Sequence, residues 1–402
     1  MSANLRPTLL ALTRNRTGPL LAAAQIAIAL AVLVNAAYIA HQRIGRLTRP
    51  TGIDVEDLFQ VYGEGFTSRY NPLAALHEDL AYLRGLPGVV DASPALTVPM
   101  GGANQSWPLF RTAEARGGAT VATVYGMDDH GLHTLGAHLL AGRNFRPDEV
   151  LDPQSPSFSQ IIVTESAARS LFPHGDALGR TVYAFPNMPL TIIGIMNDVI
   201  ATAWASTHYG AYDAMIVPRT DLQYGNGYLV RTAPGQRDRL MRIVEQHLSA
   251  SNPNRVIDYV QSLAYFAKRL RRDDLNLTIF LTTVTVLVVA VACLGIFSLA
   301  TFNVTARTKQ IGTRRAVGAR RADIIQYFLI ENGLITTSGV LVGCVLALGL
   351  GYWLSLRYQL PRLDLYYLLG GVLALWAIGQ IAAWQPARRA AAVPPSVATR
   401  TI

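Results

Sequence analysis

Residues Ala306–Glu331 read ARTKQIGTRRAVGARRADIIQYFLIE, a cationic stretch set between two apolar runs, Leu277–Phe302 and Phe328–Trp353. Its basic residues are Arg307, Lys309, Arg314, Arg315, Arg320 and Arg321. Crossing roughly 30 Å of hydrocarbon at about 1.5 Å per residue takes about 20 mainly apolar residues. Both flanking runs qualify, and so do Gly18–Ala40 and Tyr366–Trp384. A short Lys/Arg-rich loop between two spans stays in the cytoplasm. Scattered charge would satisfy that rule, but this loop is ordered. Ile311, Arg315 and Gly318 follow helical spacing, and Gly312, Ala316, Gly318 and Ala319 are small enough for another backbone to approach. The pattern predicts a short helix under the membrane that docks a protein partner.

Charge sets the orientation. Arg6, Arg14 and Arg16 precede the first span and place the N-terminus inside; Arg388, Arg389 and Arg400 follow the fourth. Tyr352, Trp353, Tyr366, Tyr367 and Trp384 stand at span ends, where amphipathic rings favour the headgroup zone. The first span is too long, and lacks a small-residue cleavage site, to be a removable signal peptide; it is expected to be an uncleaved anchor. The expected partition is a cytoplasmic segment 1–17, spans 18–40, 276–303, 327–356 and 366–384, an extracytoplasmic domain 41–275, a coupling loop 304–326, a short outer loop 357–365 and a cytoplasmic tail 385–402. The net charge of +9 over 402 residues sits largely at membrane flanks, which favours topology over nucleic-acid binding. Cys293 and Cys344 both fall in spans, so the extracytoplasmic domain has no disulfide or thiolate metal site and is stable through its core alone.

That domain alternates short strands and helices, an α+β pattern. Strands are expected at Asp57–Tyr62, Val89–Val98, Ala119–Tyr125, Gln160–Val163, Leu190–Met196, Ala214–Val217, Tyr228–Arg231 and near Arg255–Val260. Pro72–Leu86, with Leu73, Leu76, Leu80 and Leu83 on one face, and Gln236–Leu248 are expected helices. Ala167, Ala168 and Leu171 are expected to form one buried face of a further helix that Phe172-Pro173 stops, with Gly179 permitting the turn into the next strand.

The run QIGTRRAVGARRADIIQYFLIENG (Gln310–Gly333) resembles the signature of MacB/FtsX-type ABC transporter permeases, in which the loop between the second and third membrane helices seats in a groove of an ATPase. Gln310 replaces the family's usual Glu at the head of the motif. Three further passages are similar to the family's periplasmic core: LGAHLLAGRNF (Leu135–Phe145), VTESAARSLFPHGDALGRTVYAF (Val163–Phe185) and LTIIGIMNDV (Leu190–Val199). The tail QPARRAAAVPPSVATR (Gln385–Arg400) resembles the family's closing segment, with Thr399 in place of Leu. The resemblance implies four membrane helices with a large α+β domain between the first and second. It implies ATPase-coupling residues at Arg307, Lys309, Gln310, Ile311, Gly312, Arg314, Arg315, Gly318 and Ala319.

Other chemistry is poorly supported. No phosphate-cradling GxxxxGK[ST] loop occurs, so ATP and Mg are expected on a separate chain, with no cofactor on this one. His130, His133 and His138 lie near Asp128 and Asp129, but their spacing matches no familiar metal motif. Ser166 and Ser170 lack a GxSxG context. Gly339 and Gly343 form one close-packing face, and Ala22, Ala23, Ala27 and Ala31 another. The glycine face is expected either to ease packing within the chain or to form a seam with a second permease copy or paralogue. The resemblance implies a dimer seam at the first and second helices, so the alanine face ranks first.

The expected function is permease subunit of an ABC transporter in the bacterial inner membrane. It would transmit ATP-driven change from a cytoplasmic ATPase dimer to its periplasmic domain and drive export of a drug, peptide or similar cargo. A periplasmic adaptor is a further expected partner; nucleic acid is not. The alternatives are a lipoprotein-releasing permease and a signalling scaffold that activates a cell-wall hydrolase.

Overall fold

The computed structural model describes residues 17–47, 49–103, 105–114, 120–151, 158–185, 188–202, 210–220, 222, 225–358 and 363–394. Arg6, Arg14, Arg16, Ala119, Thr399 and Arg400 lie outside them. Among the described residues, four helices are long and apolar enough to cross a membrane: α1 (Thr17–Leu47), α6 (Leu263–Ala306), α8 (Arg321–Tyr358) and α9 (Leu365–Ala391). All four run past the apolar cores that mark them in sequence. The chain forms two compact units, one of residues 49–273 and one of the chain on either side. The expected boundaries at 41 and 275 therefore shift. α1 continues to Leu47, and α6 begins at Leu263, because polar residues extend a helix as readily as apolar ones once it is nucleated.

In the 49–273 unit, β1 (Leu58–Gly65), β2 (Val89–Pro94), β10 (Asn226–Thr232) and β11 (Arg255–Ser262) form an antiparallel sheet in the order β11-β1-β10-β2. Helices α2 (Pro72–Gly85) and α5 (Arg237–Ser251) cover it. Asn71 caps α2 by accepting from the Leu73 and Ala74 amides, and Pro72 supplies a pre-set φ at the first turn. Phe59, Val61, Leu76, Leu83, Tyr228, Val230, Leu240 and Val244 make the core between sheet and helices.

The second sheet holds β3 (Ser106–Phe110), β4 (Thr120–Gly126), β5 (Leu139–Gly142), β6 (Gln160–Thr164), β7 (Thr181–Ala184), β8 (Pro189–Met196) and β9 (Ala214–Val217), in the order β5-β8-β6-β9-β4-β3-β7. β7 also pairs with the Pro189–Thr191 half of β8, so six strands close into a ring and β5 joins at Gly194–Met196. Strands β3, β5 and β7 have no counterpart among the expected strands. α3 (Gly131–Leu135) is a short helix after β4. α4 (Glu165–Leu171) buries Ala167, Ala168 and Leu171, as the sequence pattern requires, and Gly179 turns the chain at φ +78°. Leu58, Tyr125, Ile162, Ile216 and Leu229 belong to a core shared by both sheets.

In the membrane unit, α1 and α8 pack closely. A Cβ on Gly339 would stand 2.7 Å from the Ala23 carbonyl oxygen, and one on Gly343 would stand 3.0 Å from the Ala27 Cα. The glycine and alanine faces meet each other inside one chain. Ala27 and Ala31 are buried there, so the alanine face expected at a dimer seam is already covered. α6 instead leaves Ile279, Phe280, Val286, Leu287, Val291 and Leu294 exposed.

Candidate functional site

α7 (Thr308–Ala316) follows α6 after Arg307. Gly318 then takes φ +106°, a left-handed conformation in which a side chain would be strained, and the chain turns into α8. Space is open around Gly318, so its smallness serves the backbone turn and not a close approach. The Asp323 carboxylate accepts from the Arg320 amide and helps to start α8.

One face of α7 is anchored to the chain itself. Ile311 is 5% exposed and packs with Ile324, Phe328, Ala387 and Ala390, with Ala319 at the edge of the cluster. Gly312 is buried beside it. Arg307 donates to Glu331 Oε2 at 2.9 Å and to the Tyr327 hydroxyl at 3.1 Å. Arg315 donates to the Ala391 and Val393 carbonyls at 3.2 and 2.5 Å, tying the end of α9 to the loop. Of the nine expected coupling residues, Arg307, Ile311, Gly312 and Arg315 thus hold the loop in place.

The other face is open. Lys309, Gln310, Thr313, Arg314, Ala316, Val317 and Gly318 are exposed. The Arg314 guanidinium lies over the Tyr327 ring, 4.9 Å from its centroid, which orients it without neutralising it. Val317 is 84% exposed at the tip of the loop, an apolar side chain left uncovered by the rest of the chain. Tyr327 and Val317 were not singled out from sequence; the first reads as membrane-flank aromatic and the second as filler in a basic loop.

Polar groups inside the spans tie helices together. Asn35 donates to the Ala31 and Ala347 carbonyls at 2.9 and 3.1 Å, and Asn332 donates to the Gly379 carbonyl at 3.0 Å. In the 49–273 unit, His130 and His133 each place Nδ1 against Asp91, at 2.9 and 2.7 Å, while the His138 amide donates to Asn197. The three histidines do not converge, and among the described residues no cluster of three or more ligands could hold a metal ion. Ser166 and Ser170 donate to Asp213. A cleft of about 580 Å³ in the same unit is lined by Met100, Tyr259, Tyr265, Phe266 and Arg269 among others.

A polytopic membrane unit with an ordered basic loop and a two-sheet α+β domain between its first two helices defines a permease of the FtsX-like class. Residues 282–395 match the FtsX-like permease C-terminal model, and residues 21–246 match the MacB-like periplasmic core domain model. The chain belongs to the MacB/FtsX-like family of ABC permeases. It is 26% identical over 397 residues to the macrolide export ATP-binding/permease protein MacB of Escherichia coli K12, covering 96% of this chain and 58% of that protein. The corresponding protein of Agrobacterium fabrum is 28% identical over 290 residues, covering 69% of this chain and 43% of that one. The match therefore spans between about two fifths and three fifths of the length of these relatives. A crystal structure of the periplasmic region of MacB from Actinobacillus actinomycetemcomitans aligns with 56% of this chain and 97% of that one, at 14% identity and a TM-score of 0.37.

Proposed function

We propose that this chain is the permease subunit of an ABC export system in a bacterial inner membrane, coupled to a separate pair of cytoplasmic ATPases that hold ATP and Mg. Closure of the ATPases pushes on α7, α6 and α8 tilt as levers, and the 49–273 domain opens or closes in the periplasm. The observation that carries this reading is the division of α7 into two faces. Arg307, Ile311 and Arg315 lock it to the bundle, so a force applied to its outer face moves the bundle and not the loop alone. Lys309, Gln310, Arg314 and Val317 remain to meet the ATPase.

The cargo is a periplasmic drug, peptide or similar amphiphile. The MacB relatives are named for macrolide export, which supports an export reading, and the aromatic cleft has the size and mixed lining that such a molecule requires. A second permease copy or a paralogue completes the transporter. The open apolar face of α6 is the surface left for it, since the alanine face of α1 is occupied by α8. A periplasmic adaptor would carry cargo onward.

Charge reversal tests the coupling surface. With the ATPase co-expressed, Lys309→Glu with Arg314→Glu should release it while the permease stays in the membrane. Losing interfacial charge pairs of this kind costs on the order of 2–5 kcal/mol when they are desolvated. Arg388→Glu with Arg389→Glu, two exposed cations on α9, should leave capture intact. Full co-purification of the ATPase with the first double variant would overturn the assignment of this face.

A further inference from the structure

The first turns of α6 carry a second cationic cluster, which the coupling role does not use. Lys268, Arg269, Arg271 and Arg272 are all exposed, and none makes a hydrogen bond or ion pair among the described residues. Their neighbours are settled differently. Arg43 is paired with Asp274, which is buried. Asp273, which follows the cluster in sequence, is exposed.

Position along the helix gives the cluster its meaning. The apolar run of α6 begins at Leu277, five residues beyond Arg272 and therefore about 7.5 Å further along the axis. That is the depth of the headgroup layer above the hydrocarbon edge. At 3.6 residues per turn the four cations spread over an arc of about 160° around α6, so several face any lipid surface the helix emerges from. They also stand on the side of the membrane where Lys and Arg are otherwise disfavoured near a span. The ion pair between Arg43 and Asp274, two residues beyond Arg272, shows how such charge is neutralised, and these four cations lack that kind of partner.

We propose that Lys268, Arg269, Arg271 and Arg272 form a docking collar for the phosphates of anionic glycerophospholipids in the leaflet facing the 49–273 domain. The collar anchors the foot of the lever helix in the headgroup layer; it rests on the reading that this domain is extracytoplasmic. Each cation next to an anionic lipid surface contributes roughly a fivefold gain in association, and salt weakens it.

The test uses the full chain in Arg388→Gln/Arg389→Gln background, so that cytoplasmic lipid contacts do not mask the effect. Photoactivatable phosphatidylglycerol is cross-linked to it in phosphatidylcholine nanodiscs, and the adducts are mapped by peptide mass spectrometry. Adducts are expected at residues 263–275, with a fall of at least tenfold when Lys268, Arg269, Arg271 and Arg272 are all changed to Gln. A variant with Lys at all four positions keeps the charge and should retain the adducts. Undiminished labelling in the Gln variant would overturn the proposal, as would displacement of the lipid by an equal concentration of inorganic phosphate. In cells, Ser106→Cys labelled by an impermeant thiol reagent checks the orientation separately. If that label fails while the adducts persist, the topology is at fault and not the lipid collar.

Discussion

The 49–273 unit and the membrane unit satisfy their buried groups in opposite ways. The first closes on itself: two sheets share one core, and the buried Arg255, Asp79 and Tyr228 side chains complete each other. The second binds three of its long helices through small residues and leaves α6 with an exposed apolar face. Water forces the first solution, because apolar surface and unpaired charge are both costly there. Lipid removes that force, since acyl chains surround Leu as favourably as another helix does. Helix contacts in the membrane therefore depend on close fit, and a face without fit stays open until a partner brings it.

The largest test of this contrast is Asp79→Ala. Arg255 would keep its hydrogen bond to the Leu248 carbonyl at 2.7 Å, but its charge would be buried without a counter-ion. Breaking one side of such a pair costs about 3–5 kcal/mol. Urea unfolding of the full chain in detergent, followed by tryptophan fluorescence, should show that loss in the 49–273 unit with helix content unchanged. A loss under about 1 kcal/mol would mean that the network is solvated.

Next in size is Gly343→Leu. Its side chain meets Ala27 and Leu30 at 3.0 Å, and overpacking of this kind costs about 1–3 kcal/mol. Gly349→Leu is the control, since nothing lies within 4 Å of a Cβ there. Thermal stability in detergent should fall for the first and hold for the second. Equal behaviour of the two would dissolve the distinction between the packed and open faces.

Much of this contrast is legible in the sequence because period and length report burial directly. The four spans, the α2 and α4 faces and the strand Ala214–Val217 follow from apolar spacing alone. Strands β3, β5 and β7 are missed for physical reasons. β3 contains Pro108, which argues against a strand, and β5 and β7 are four residues each, too short to show alternation. In the basic loop, the sequence marks a short helix but not the direction of each side chain. Arg314 and Arg315 are adjacent and chemically alike, yet one faces out and the other bonds the α9 carbonyls, which only the helix phase decides. Asp91 likewise joins His130 and His133 from a strand some 40 residues away, a distance across which spacing carries no information.

That difference in direction yields a smaller effect at Arg315→Gln. Two hydrogen bonds from a charged donor to the Ala391 and Val393 carbonyls would be lost in a half-exposed setting, at about 1–2 kcal/mol. The expected readout is local: faster amide exchange at residues 388–394, with ATPase capture retained. Release of the ATPase by this single change would move Arg315 to the outer face.

The smallest effect concerns acid. Arg143 grips Glu149 with two hydrogen bonds, at 2.6 and 2.7 Å, and the Arg146 amide adds a third at 2.9 Å. The Arg143 hydrogen bond, opposed by desolvation and aided by Arg146, lowers the Glu149 carboxyl to about 2, against an ordinary value of 4.5. A depressed carboxylate stabilises the fold at any pH above its unfolded value and loses that contribution as pH falls towards its folded one. The wild-type 49–273 unit should therefore melt above Glu149→Gln at pH 6, with the gap closing between about pH 4.5 and pH 2. The clamp sits on the surface, where solvent and salt screen it, so the gap should be smaller than for any substitution above and should shrink further in high salt. A gap that persists unchanged at pH 2 would show that Glu149 acts there through packing and not through its charge.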